Sequence, residues 1–297
     1  PFVRDESDPG VAELERLGLV PVYDETVFAR EAGYLSGSAE VRAHAFQRHW
    51  LDPDVAALIA VRGGFGSAHI VPLLDGAAIA ATPKLFVGYS DNTTLLSWLT
   101  CHCGLPALHG PMLEGRLARG AAGYDERSFV SLLQGGRGLV LAPDALVVLR
   151  PGEAAGTLAG GTMTQLIASL GTPYGFDPPD GCLLFLEDVN ERPYRIDRML
   201  TQLAHSGILS RARGIVWGEM RGCDEPSGAG GTRSTVHRTV TARAVIERLL
   251  RDFSGPVIFG FPSGHTTGPC WTLPLGVRVR LRTHPTPSLT VEESPVA

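Results

Sequence analysis

A chain of 297 residues and 31.6 kDa corresponds to about two domains at roughly 150 residues each, enough to bury a sizeable core without disulfides or a structural metal. Its 44% hydrophobic and 19% charged residues exclude the disordered class, and a net charge of −5 argues against a dedicated nucleic-acid binder. No apolar run approaches the roughly 20 residues that a membrane span requires.

Residues 10–18 place Val11, Leu14 and Leu17 at helical spacing, with Gly18 as a C-terminal cap. Residues 38–50 predict a second helix, with Ser38 as N-cap and Glu40 in its first turn. The apolar run 56–61 is too short for a helix and reads as a buried strand, and the glycine-rich turn 62–67 follows it. Residues 84–88 form the next strand. After it come the turn Tyr89-Ser90-Asp91-Asn92, an amphipathic helix closing on Gly104, and a strand over 105–110. Strand, turn and helix at this rhythm predict a parallel α/β sheet covered on both faces.

A first domain is thus expected over 1–115, and 116–155 reads as a linker carrying a strand or two. A second domain over 156–297 restarts the pattern with a helix at 162–170, a strand at 182–188 and a long helix near 191–206. A strand at 214–220, a polar glycine-rich loop at 222–234, a helix to about Asp252, a strand at 256–261 and a terminal β-hairpin complete it. The five cysteines are odd in number and scattered, as expected of thiols in a reducing cytosol. Cys101-His102-Cys103 lacks the spacing of a zinc knuckle and reads as the end of the apolar helix, so no metal is expected.

In an open α/β sheet, functional residues collect just past the carboxyl ends of strands. Four such loops here carry reactive side chains. Ser90 sits where a strand turns abruptly into a helix, which resembles a nucleophile elbow, although the same Ser-Asp-Asn-Thr run also serves as an ordinary N-cap cluster. The glycine-rich turn lets backbone amides approach an anion, but it lacks the last glycine of a dinucleotide fingerprint and the lysine of a P-loop. Glu187 and Asp188 follow a buried strand. They are acids for catalysis or partners for nearby arginines such as Arg195. His265 lies between glycines after the strand 256–261, with His109 as a rival general base. Ser90, His265 and Glu187, with Asp188 as the alternative acid, supply the serine, base and acid of a hydrolase. Such a site has to lie in a cleft between the two halves.

Six motifs in order then carry a specific likeness: RGGFGS at 62–67, GYSDNT at 88–93, HGPM at 109–112, GTLAGG at 156–161, LFLEDVNERPYRIDRML at 184–200 and GFPSGH at 260–265. Together they resemble the LD-carboxypeptidases, or muramoyltetrapeptide carboxypeptidases, a family that includes the microcin-immunity peptidases. The resemblance implies a flavodoxin-like parallel-sheet N-terminal domain plus a smaller β-rich α/β C-terminal domain. It also implies a Ser-Glu-His triad falling on Ser90, Glu187 and His265, with an oxyanion hole from the amides of Gly64 and Asp91 or from the neighbouring Gly63.

The substrate implied is cytoplasmic murein tetrapeptide, cut before its terminal D-alanine by a homodimer that needs no metal or organic cofactor and binds neither nucleic acid nor membrane. His109 then takes a structural or substrate-side role, and Arg62 is the candidate for clamping the substrate carboxylate. Two rivals are a microcin-immunity-type peptidase acting on an aminoacyl- or peptidyl-nucleotide amide and a non-catalytic nucleotide-binding module. The family usually opens with a strand before the stretch matching Phe2-Val3-Arg4-Asp5, so that strand is expected to be absent from this numbering.

Overall fold

The computed structural model describes residues 3–225 and 240–296. In chain order its strands are β1 (Ala57–Ile59), β2 (Leu85–Gly88), β3 (Ala107–His109), β4 (Val140–Leu141), β5 (Val147–Arg150), β6 (Glu153–Thr162), β7 (Leu183–Glu187), β8 (Gly214–Gly218), β9 (Val257–Phe261), β10 (Leu273–Leu275), β11 (Arg278–Arg282) and β12 (Ser288–Val291). They form a four-stranded sheet ordered β1-β2-β3-β10 and an eight-stranded sheet ordered β4-β12-β11-β6-β7-β8-β9-β5. Strands β1 to β3 are parallel, as are β6 to β9, while the later strands β10, β11 and β12 pair antiparallel.

The apolar runs dictate this layering. A strand covered on both faces reads as continuous hydrophobic sequence, and every residue of β2, β7 and β8 is buried. Successive side chains point to opposite faces. Leu183 and Phe185 of β7 therefore join the core shared with Leu108 and Leu273 of the first sheet and Leu96 of the helix Thr93–Cys101, while Leu184 and Leu186 pack with Ile196, Leu200 and Leu203 on the helix Pro193–His205. One continuous core thus welds the smaller sheet to one face of the larger. β10 adds a further tie, since it hydrogen-bonds to β3 of the smaller sheet and runs directly into β11 of the larger.

Most predicted elements appear within two or three residues of their expected ends. The second helix is Ala39–Leu51, and Ser38 caps it by accepting from the Val41 N–H at 3.3 Å. The first helix runs Arg4–Arg16 rather than starting at Gly10: it continues through Pro9, and Gly10 lies so close to Leu113 that a β-carbon would fall 2.6 Å from its carbonyl oxygen. Gly18, at φ +80°, closes the helix with N–H bonds Gly18 to Glu15 and Leu19 to Leu14, a Schellman pair.

The stretch read as a linker holds a helix, Glu126–Leu133, capped by Asp125, together with β4 and β5 of the larger sheet. The tail from residue 273, read as a terminal β-hairpin, does hold the hairpin β11–β12, but its first residues form the separate strand β10, which pairs with β3 of the smaller sheet. The glycine-rich loop expected at 222–234 lies outside the described residues beyond 225.

Gly160 in β6 lies against the backbone of β7, and at φ +138° a β-carbon there would sit 1.9 Å from the Phe185 carbonyl oxygen. Gly160→Ala is therefore expected to cost roughly 3 kcal/mol or more in urea unfolding, from strain and overpacking together. An unchanged midpoint would contradict this packing.

Candidate active site

The carboxyl ends of both sets of parallel strands converge on one place. At Gly88, the end of β2, a β-carbon would lie 2.9 Å from the Asn92 β-carbon, so the chain can turn sharply only with glycine there. Tyr89 is extended, Ser90 takes φ +64°, and the turn Ser90–Asn92 runs into the helix Thr93–Cys101. A serine in the left-handed region costs about 1–3 kcal/mol and persists where its surroundings fix it.

Hydrogen bonds supply that restraint. Asp91 Oδ2 accepts the Ser67 N–H at 2.8 Å, and Asn92 Nδ2 donates to the Arg62 carbonyl at 3.1 Å. Both ends of the glycine-rich turn are thereby fastened to the serine turn. The alternative reading as an N-cap cluster does not hold, because no side chain caps the helix and Asp91 is directed to Ser67 instead. A β-carbon on Gly63 would fall 2.9 Å from the Ser90 β-carbon and 3.1 Å from its Oγ, whereas the same position on Gly64, at φ +111°, is open. Gly63 is therefore the residue that lets the turn lie against Ser90.

Glu187 ends β7 and is 1% exposed; His265 projects from the loop after β9. The His265 Nδ1 lies 2.9 Å and 3.1 Å from the two Glu187 carboxylate oxygens, and its Nε2 lies 3.1 Å from Ser90 Oγ. With the carboxylate on Nδ1, that nitrogen carries the ring proton and the Nε2 lone pair faces the serine hydroxyl. Glu187 also accepts the His265 backbone N–H at 3.1 Å and the Thr162 hydroxyl, which sits at the end of β6. Burial pushes the Glu187 carboxyl up, but the hydrogen bond and charge of His265 outweigh it and hold the group below its ordinary range.

The other predicted residues take different positions. Asp188 points to the opposite side from Glu187, accepting the Thr164 N–H at 2.9 Å and its hydroxyl at 2.7 Å, so it fastens the helix Met163–Ser169 and does not reach His265. Burial raises its carboxyl to about 6. His109 is fully buried and its Nδ1 lies 2.9 Å from Ser263 Oγ, while the His265 ring, and not His109, meets Ser90; of the two roles expected for His109, this burial accords with the structural one. Arg62 is half-exposed beside the glycine turn and forms an ion pair with Glu114 at 3.3 Å. Sequence reasoning missed Thr162 and Ser263, although both lie in or next to quoted motifs. It also missed Arg116, for which no local pattern gave a signal.

Family models agree with this architecture. The description "LD-carboxypeptidase N-terminal domain" matches residues 3–110, and "LD-carboxypeptidase C-terminal domain" matches residues 155–281. The chain belongs to the LD-carboxypeptidase family. The murein tetrapeptide carboxypeptidase of Pseudomonas aeruginosa is 32% identical over 243 residues, which cover 78% of this chain and 74% of that protein. The solved structure of muramoyltetrapeptide carboxypeptidase from Oxalobacter formigenes matches at a TM-score of 0.82 and 29% identity, over 99% of this chain and 97% of that one. The microcin C7 self-immunity protein MccF of Escherichia coli is 28% identical, covering 92% of this chain and 84% of its own. Membership makes this protein a serine-type carboxypeptidase, a hydrolase of peptide bonds.

Burial lowers the His109 imidazole from 6.5 to about 4. As the pH falls through that interval, the unfolded chain takes up a proton that the folded chain refuses, so the stability this group contributes above pH 6.5 is lost toward pH 4. Up to about 3 kcal/mol is at stake. Urea unfolding across this range is expected to show a flatter pH profile for His109→Gln than for the wild type, and parallel profiles would contradict the assignment.

Proposed function

We propose that Ser90, His265 and Glu187 form the catalytic triad of an LD-carboxypeptidase that removes the terminal D-alanine of murein tetrapeptide during cell-wall recycling. The observation that carries the reading is the Nε2-to-Oγ distance of 3.1 Å between His265 and Ser90, residues brought together from two different sheets. His265 takes the Ser90 proton as Oγ attacks the scissile carbonyl, while Glu187 fixes the tautomer and stabilises the imidazolium. The amide of Asp91 and one from the glycine turn, Gly64 or its neighbour Gly63, receive the oxyanion. His265 then protonates the leaving amine of D-alanine, and an acyl-enzyme ester remains on Ser90. Water, deprotonated by His265, cleaves that ester and restores the serine.

Murein peptide as substrate is supported by the names of the Pseudomonas and Oxalobacter relatives. In this reading the enzyme acts in the cytoplasm, without nucleic-acid or membrane partners, and as a homodimer. Its five free cysteines accord with a reducing compartment.

Ser90→Ala should lower kcat for D-alanine release by on the order of 10⁴-fold or more while leaving KM nearly unchanged. Near-wild-type release would overturn the triad. Wild-type turnover of an aminoacyl-sulfamoyl nucleotide, measured in parallel and exceeding that of tetrapeptide, would move the substrate assignment to the microcin-immunity class.

A further inference from the structure

Arg116 follows β3 in the first half of the chain and is only 6% exposed. Its guanidinium is the hub of the loop that carries His265. Nη2 donates to the Gly264 carbonyl at 2.8 Å and the Thr266 carbonyl at 3.1 Å, and Nη1 donates to the Gly268 carbonyl at 3.0 Å. The carbonyls on both sides of His265 thus converge on one cation, while the His265 N–H between them is held by Glu187. Nε reaches in the other direction, to the Tyr89 hydroxyl at 3.4 Å. Tyr89 directly precedes Ser90, and its ring meets the His265 ring edge-on at 5.1 Å. The segment after Arg116 is stitched to the far end of the same loop, since the Cys270 N–H donates to Gly123 and the Asp125 N–H to Cys270, both at 3.0 Å.

A buried cation without hydrogen-bond acceptors is costly, and three carbonyls with their oxygens turned toward one point repel one another unless a positive charge lies between them. Each therefore requires the other. A planar fork of N–H donors can satisfy three such oxygens at once, whereas the lysine ammonium is a point charge with three tetrahedral donors. Arg116 touches none of the reacting atoms; it fixes the backbone from which the base projects.

Resting on the triad reading, we propose that Arg116 is a positioning residue for the general base. It ties the 264–268 loop to the Tyr89–Ser90 turn, so that His265 Nε2 stays within hydrogen-bonding reach of Ser90 in every turnover. A displacement of about 1 Å at such a contact costs on the order of 100-fold in rate. The binding of substrate, which does not depend on the proton-accepting nitrogen, is left in place.

Arg116→Ala and Arg116→Lys test this, assayed for D-alanine release well below the melting temperature of each variant. We expect kcat to fall about 100-fold in the alanine variant with KM within about threefold of the wild type. Millimolar guanidinium should restore part of kcat, and equal sodium chloride should not. A role confined to stability would lower the melting temperature and leave kcat of the folded protein intact; a folded Arg116→Lys or Arg116→Ala with kcat within about threefold of wild type would overturn the proposal. Ser90→Ala run alongside separates the two failures. If it is inactive while the Arg116 variants are fully active, only the positioning role falls; if it remains active, the triad reading itself falls.

Discussion

The contact on which the molecule turns is the hydrogen bond between His265 and Ser90. It joins side chains 175 residues apart, one on a loop after the larger sheet and one at the end of a strand of the smaller. A bond of this kind survives only if the two sheets hold a fixed relation. The shared core supplies most of that rigidity, because Leu183 and Phe185 from one sheet share a core with Leu108 and Leu273 from the other and with Leu96 of the helix Thr93–Cys101. Local ties complete it: the Thr162 N–H donates to Thr93 Oγ1 at 3.1 Å, and Gly161 lies so close to Thr93 that a β-carbon would fall 2.7 Å from its Cγ2.

The second constraint is electrostatic. A carboxylate as buried as Glu187 is tolerated only when its oxygens are fully occupied, and here a ring N–H, a backbone N–H and a hydroxyl do so. The same donors fix its direction. Alternation along an extended chain sends Asp188 to the opposite side, where it anchors a helix, and this decides which of two adjacent acids faces the histidine.

Much of this was legible in the sequence because it depends on local chemistry. Ser38 as a cap, Gly18 as a helix terminator and the apolar runs of β2, β7 and β9 follow from short-range rules, as does the placement of Ser90 and His265 just past strands and of Glu187 at the carboxyl end of one. What was not legible depends on contacts between distant parts of the chain. Leu273–Leu275 reads as the start of the terminal hairpin, but its partner β3 lies more than 150 residues earlier, a pairing that no local pattern shows. The helix Glu126–Leu133 did carry signals, namely the Asp125 cap and the apolar spacing of Phe129, Leu132 and Leu133, but the surrounding glycines masked them. His109 looked like a candidate base because residue type says nothing of burial. Arg116 looked like one arginine among 25 because its acceptors are backbone carbonyls about 150 residues away.

The central claim is that chemistry takes place where these two sheets meet, on Ser90. A crystal structure of Ser90→Ala with intact murein tetrapeptide bound tests it most directly. The account predicts the carbonyl carbon before the terminal D-alanine within about 3.5 Å of the point that Ser90 Oγ occupies, with its leaving nitrogen on the His265 side. Tetrapeptide bound with that carbonyl beyond the reach of both residues would contradict it.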